Sequence, residues 1–152
     1  MNRRQSMRIA SQTEILRPPE IVFPWISEPE KAMKWQKNVK RGDIIERKPG
    51  VVGTTFKELI EEDGKSLEMY GIITRFDENK NIGFHITSKI HEFDVDYLLE
   101  LVSNSTKVTI EANIEWKFPM NVISLFFGKK MKNKIARELD AELNELKILC
   151  ET

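Results

Sequence analysis

Two stretches of the chain alternate apolar and polar residues with period two. Phe93, Val95, Tyr97, Leu99 and Leu101 interleave with Asp94, Asp96, Leu98 and Glu100. Val108, Ile110, Ala112, Ile114 and Trp116 interleave with Lys107, Thr109, Glu111, Asn113, Glu115 and Lys117. Alternation of this kind predicts strands covered on one face and wet on the other. Ile82, Phe84 and Ile86 follow the same rule. Turn signals at Lys48-Pro49-Gly50, Glu62-Asp63-Gly64-Lys65, Asp77-Glu78-Asn79-Lys80 and Ser103-Asn104-Ser105, with a further reversal near residues 88–91, cut residues 39–117 into six strands. Short connections between them predict an antiparallel meander.

Ahead of the meander, residues 9–16 read as a strand that Pro18 and Pro19 stop. Proline suits the first turn of a helix, and Glu20 and Glu30 sit where the helix dipole favours a negative charge. Two short helices meeting at an angle are expected, the second over residues 29–35 with Ser27 as its cap. Trp25 is read as core beneath the first of them. Trp35 is read either as core at the helix end or as wall of a cavity.

The last segment has helical periodicity from Pro119 to about Cys150. Ile135, Leu139, Leu143, Leu146 and Cys150 form one stripe, the expected cover for the sheet. Continued towards the N-terminus, the stripe passes Met131, Gly128 and Ser124, with Lys132 at its edge. Bulk fills the second half and small or flexible residues fill the first. Glycine inside a helix costs about 1 kcal/mol against alanine. Space between helix and sheet is one reason to accept that cost. A kink or interruption at Gly128 is another, and the two are compatible.

Composition narrows the class. The chain has 152 residues, 24 basic and 24 acidic, so its formal charge is zero. That balance argues against a general nucleic-acid binder, which needs a basic excess. Cys150 is the lone cysteine, so no internal disulfide forms and a reducing, cytoplasmic setting is expected. No apolar run approaches the roughly 18 residues that span a bilayer.

The order of elements carries a resemblance. The stretches "ILRPPEIVFPWISEPEKAMKW", "GVVGTTFKELIEEDGK" and "LNELKILCE" resemble the START-like superfamily, in its polyketide cyclase/dehydrase-like (SRPBCC) branch. The matching positions are Pro18 and Pro19, Trp35, and Leu146, Lys147 and Glu151. The resemblance spans nearly the whole chain as a single domain, residues 1–152. It implies an α+β helix-grip fold: a curved antiparallel sheet of about seven strands wrapped on a long C-terminal helix, with a hydrophobic cavity between them. Members bind lipids, sterols, polyketides, hormones or quinones, some as enzymes and many as carriers. The fold supplies a pocket and not a reaction.

Candidate chemistry is sparse. No phosphate loop or nucleophile elbow appears, and two histidines and one cysteine lack metal-ligand spacing, so neither cofactor nor metal is expected. His85 is out of phase with Phe84 and Ile86 and is expected to face solvent. His91, in phase with Phe93 and Val95, is expected inside, as a hydrogen-bonding group or a rim residue. Glu58 is expected inside if Phe56 and Ile60 are; the opposite phase would turn Thr55, Lys57, Leu59 and Glu61 inward. Phe56-in buries fewer charges. Tyr70 with Thr74 competes with Met69 and Ile73 for the inner face. Phe56, Phe84, Tyr97 and Trp116 are the concave-face aromatics. The expected ligand-contacting set is therefore Trp35, Phe56, Glu58, Tyr70, Phe84, His91, Tyr97, Trp116, Ser124, Gly128 and Met131.

The expected partner is a small hydrophobic molecule carried in the cavity. The alternatives are a cyclase- or aromatase-type enzyme using Glu58 or His91, and an interaction module with a vestigial pocket that dimerises through a sheet edge. Monomer and homodimer both remain open. Phe126 and Phe127 beside Lys129 and Lys130 would suit a transient membrane contact. A solvated face with i,i+4 ion pairs, such as Lys134 with Glu138, is the plainer reading of that region and of Glu138, Asp140, Glu142 and Glu145 after it.

Overall fold

The computed structural model describes residues 6–152. Strand β1 (Ser6–Ile15) leads into helices α1 (Pro19–Ser27) and α2 (Pro29–Ala32). Six strands come next: β2 (Val39–Glu46), β3 (Thr55–Glu62), β4 (Lys65–Asp77), β5 (Asn81–Thr87), β6 (His91–Val102) and β7 (Ser105–Trp116). Helix α3 (Met120–Glu151) ends the chain. The strands form one antiparallel sheet ordered β1-β7-β6-β5-β4-β3-β2, so the meander closes against the first strand.

The local signals act as expected at the β3–β4 hairpin, where Asp63 and Gly64 both take positive φ (51° and 76°). At α2 the outcome differs. Pro29 requires an extended residue before it, and Glu28 adopts that conformation (φ −93°, ψ 122°). The boundary therefore falls at Glu28, Ser27 does not cap α2, and no side chain does. Trp35 is fully buried, edge-on to Tyr97, and its indole N–H donates to the Trp25 carbonyl at 2.8 Å. This bond joins the two short helices across the prolines. Trp25 is half-buried against the core, with Lys31 and Lys34 over its ring.

The core lies between the inner face of β5, β6, β7 and β1 and the second half of α3. Ile82, Tyr97, Val108, Ile110, Leu143 and Leu146 are buried there, and Cys150 closes the stripe. Leu101 departs from expectation: it keeps the phase of Leu99 but reaches past the core and is 63% exposed. The resemblance motif at the C-terminus has a structural reason. Leu146 is wholly buried, Lys147 donates to the Glu14 carbonyl (2.6 Å) and pairs with Glu151 (2.7 Å), and Glu151 accepts the Leu16 N–H (2.7 Å). Arg17 also donates to the Glu151 carbonyl. The end of α3 is thus fastened to the end of β1.

Candidate functional site

The inner face of β3 is settled by its register with β4. Phe56 stands opposite Gly71, and its ring occupies the space a side chain would need there: a Cβ on Gly71 would lie 2.1 Å from Phe56 Cζ. Phe56 therefore points into the grip, and Glu58 comes two residues on, in the same phase. Phe56 meets Phe84 edge-on at 5.7 Å, and Phe84 meets Tyr97 at 6.2 Å. With Trp35 against Tyr97, four expected residues form one aromatic chain along the concave face. Edge-to-face contacts of this kind fix ring positions beyond what area burial alone does.

A second group lines the far end. His91 stacks on Trp116 (5.3 Å, 27°) and touches Phe93 (4.9 Å). Its Nδ1 lies 2.6 Å from the Ser88 hydroxyl. Burial holds its pKa below the usual histidine value, helped by Lys117 nearby, so the ring is favoured neutral. The Trp116 indole N–H is buried and, among the described residues, is the one buried side-chain polar atom without a partner. A donor left this way is costly, and a ligand acceptor would satisfy it.

Helix α3 completes the wall unevenly. Ser124, Gly128, Met131 and Ile135 are half-buried on the sheet-facing stripe, while Leu143 and Leu146 beyond them are fully buried. The helix runs unbroken through Gly128, and a Cβ there would meet nothing within 4 Å. The inner-face residues Phe56, Glu58, Met69, Phe84, His91, Phe93 and Trp116 remain only half-buried. We term this partly open concave region of the sheet the trough. A groove of about 370 Å³ runs along the same stretch of helix, lined by Phe127, Lys130, Met131, Lys134 and Arg137.

Two carboxyls face the trough. Burial pushes the pKa of Glu58 up to about 7. Glu142, from α3, is likewise raised to about 7, by burial first and then by Glu138 and Glu58. Among the described residues neither has a cationic partner or a hydrogen bond to hold its charge. Glu138 is raised too, by burial and Glu62, and Lys134 bridges Glu62 (3.0 Å) and Glu138 (3.9 Å) at the rim. Tyr97 is buried beside both inner carboxyls and its hydroxyl bonds Gln36; burial holds it neutral. A carboxyl near its midpoint at neutral pH can give or accept a proton.

Of the expected set, Trp35, Phe56, Glu58, Phe84, His91, Tyr97, Trp116, Ser124, Gly128 and Met131 lie on the inner side. Tyr70 does not. It lies on the outer face, half exposed, with its hydroxyl donating to Glu68 at 3.2 Å, while Met69 turns inward opposite Glu58. Thr74 sits at a register shift between Ile73 and Arg75. The reading of Glu142 as part of a solvated acidic face is also corrected: it lies on the inner stripe, one turn before Leu146. The helical period by itself gives that position, but a carboxylate defaults to solvent and so masks the signal. The i,i+4 pairing of Lys134 with Glu138 is present, with Glu62 the nearer partner.

A larger groove, about 520 Å³, lies on the outer face around Leu59, Ser66, Glu68, Tyr70, Thr87, Ser88 and Lys89. Exposed ion pairs such as Lys57–Glu68 (3.3 Å) border it, and Tyr70 is its single aromatic lining residue. His85 is on this face, bracketed by Asp94 (2.8 Å) and Glu92 (2.9 Å). Among the described residues no group of three or more His, Cys, Asp or Glu side chains could hold a metal ion.

A seven-stranded curved sheet gripping a long C-terminal helix, with two short helices after the first strand, defines the helix-grip class. Within that class the chain belongs to the polyketide cyclase / dehydrase and lipid transport family, whose model matches residues 6–151. The family places it in the START-like superfamily. Similar solved structures include a protein of Thermus thermophilus, with a TM-score of 0.80 at 14% identity over 95% of this chain and 97% of that one. The Zhui aromatase/cyclase of a Streptomyces species also has a TM-score of 0.80, at 10% identity over 97% and 94%. A START superfamily protein of Mycobacterium smegmatis has a TM-score of 0.68, at 17% identity over 91% and 98%. At these identities the likeness is one of fold. No curated protein sequence matches this one.

Proposed function

We propose that the protein binds a small hydrophobic molecule, a lipid, polyketide or similar aromatic or isoprenoid compound, in the trough between the sheet and the first half of α3, and acts as a carrier. The observation that carries this reading is the uneven cover. Aromatic side chains of the inner face stay half-exposed under a helix segment whose Gly128 borders open space. Leaving such surface wet forgoes about 25 cal/mol per Å², and a ligand would recover it. Family membership supports ligand binding of this general kind. Native mass spectrometry after gentle purification tests the reading. A co-purified small molecule is expected; a protein that is consistently empty, and that takes up no lipid or aromatic polyketide on incubation, contradicts it.

A second reading, a cyclase-type enzyme, is favoured by one observation: two unpaired inner carboxyls, Glu58 and Glu142, with pKa values near 7. Either could shuttle a proton on a bound carbonyl compound. Under this reading Glu58→Gln keeps binding of an identified ligand and loses most of its turnover. Equal turnover in the variant and the parent removes Glu58 from the chemistry.

A further inference from the structure

The trough does not account for the outer surface of α3's first turns. Phe118 is 77% exposed, Leu125 67% and Phe126 79%, with Val122 and Ile123 also open. They form a projecting apolar tip, since Phe118 precedes the helix and the others fill its first two turns. Isolated exposed apolar residues are ordinary; a contiguous group at the end of an element is not.

The charge behind the tip is as one-sided. From Lys117 to Arg137 the chain has six basic residues (Lys117, Lys129, Lys130, Lys132, Lys134, Arg137) and no acidic one. Lys117 is used internally, donating to the Ser88 carbonyl, and Lys134 is paired. Lys129, Lys130, Lys132 and Arg137 have no ion pair among the described residues. Lys129 and Lys130 stand three and four residues after Phe126, on its side of the helix. The balancing charge sits farther along: Glu138, Asp140, Glu142, Glu145 and Glu151 against Lys147 alone. In a chain of zero net charge, α3 is thus polarised, positive behind the apolar tip and negative at its far half.

We propose that this end of α3 docks on an anionic lipid bilayer, the apolar tip entering the interface and the lysines behind it meeting the headgroups. The dimensions fit. Two helical turns span about 11 Å, and interfacial helices bury their apolar side about 5–10 Å deep. The unpaired lysines begin within a turn of Phe126, where their stems can lie along the acyl boundary and their ammonium groups reach phosphate. A second copy of the chain fits less well. Joining two tips face to face would bring two lysine collars together, and like charges oppose that contact. The docking does not depend on an occupied trough.

Co-sedimentation of the full chain with vesicles tests it. Vesicles of phosphatidylcholine with added phosphatidylserine should bind the protein, and phosphatidylcholine alone should bind it weakly. Raising the salt, or substituting Lys129→Glu with Lys130→Glu, should weaken partitioning by about tenfold or more. Leu125→Ala with Phe126→Ala should do so equally at low salt. All four side chains are exposed, so the melting temperature should not move. The proposal is overturned by no binding to the mixed vesicles, or by binding that both double variants leave intact. It is also overturned if light scattering shows a dimer that Leu125→Ala with Phe126→Ala dissolves.

Discussion

At the scale of single residues, Glu58 is the most informative side chain. Its inward phase could be read from Phe56 and Ile60, because that choice buries fewer charges than its opposite. Its consequence is a pH dependence. A carboxyl whose pKa rises from an ordinary 4.5 to about 7 on folding binds its proton more tightly in the folded state. Between those values the folded chain holds more protons, so stability falls as pH rises and levels off above about 7. Glu142 adds to the same fall, and Glu138 is raised in the same direction. His85 also loses stabilisation as pH rises through its elevated pKa, which comes first from the Asp94 hydrogen bond. Comparison with a variant isolates Glu58. Urea unfolding of Glu58→Gln should show on the order of 1–3 kcal/mol more stability than the parent at pH 8 and little difference at pH 4. Part of that gain comes from relief of Glu142. Identical pH profiles would mean that Glu58 is solvated. Tyr70 marks the limit of such reading. Its strand has apolar residues in both phases, Met69 and Ile73 on one side and Tyr70 and Ile72 on the other, so alternation cannot choose. Only the pairing with β3 and β5 does.

At the scale of elements, legibility depends on the source of each signal. The hairpins are readable because their turn residues act locally: Asp63 and Gly64 take the conformation their chemistry allows. The cap of α2 is misread because two local rules compete there. Serine favours capping, but Pro29 dictates the conformation of Glu28, and the proline prevails. Helix α3 is readable as a length and a stripe, including the change of character at Gly128. The place of Glu142 on that stripe follows from the same period, but a carboxylate defaults to solvent and so masks its burial. The two halves of α3 should respond differently to substitution. Leu146→Ala is expected to cost about 2–5 kcal/mol, as for other fully buried leucines. Gly128→Ala should be neutral or gain up to about 1 kcal/mol, because its new methyl meets nothing within 4 Å and helix propensity improves. Chemical unfolding reads both. A loss at Gly128→Ala comparable to that at Leu146→Ala would mean the first half is packed.

At the scale of the whole molecule, division of labour along α3 is the central feature. Its second half is fastened to β1 by Lys147, Glu151 and Arg17 and supplies the core. Its first half leaves the aromatic wall of the sheet uncovered. No helix among the described residues is long and apolar enough to cross a membrane. The measurement that most directly tests the trough as a ligand site is uptake of a neutral fluorescent probe, N-phenyl-1-naphthylamine, by the parent and by Gly128→Trp. A Cβ at Gly128 meets nothing within 4 Å, so the new side chain starts in open space. Saturable enhancement in the parent, lost in Gly128→Trp at an unchanged melting temperature, is the predicted result. Equal uptake by both proteins, or none by the parent even after delipidation, would contradict the account.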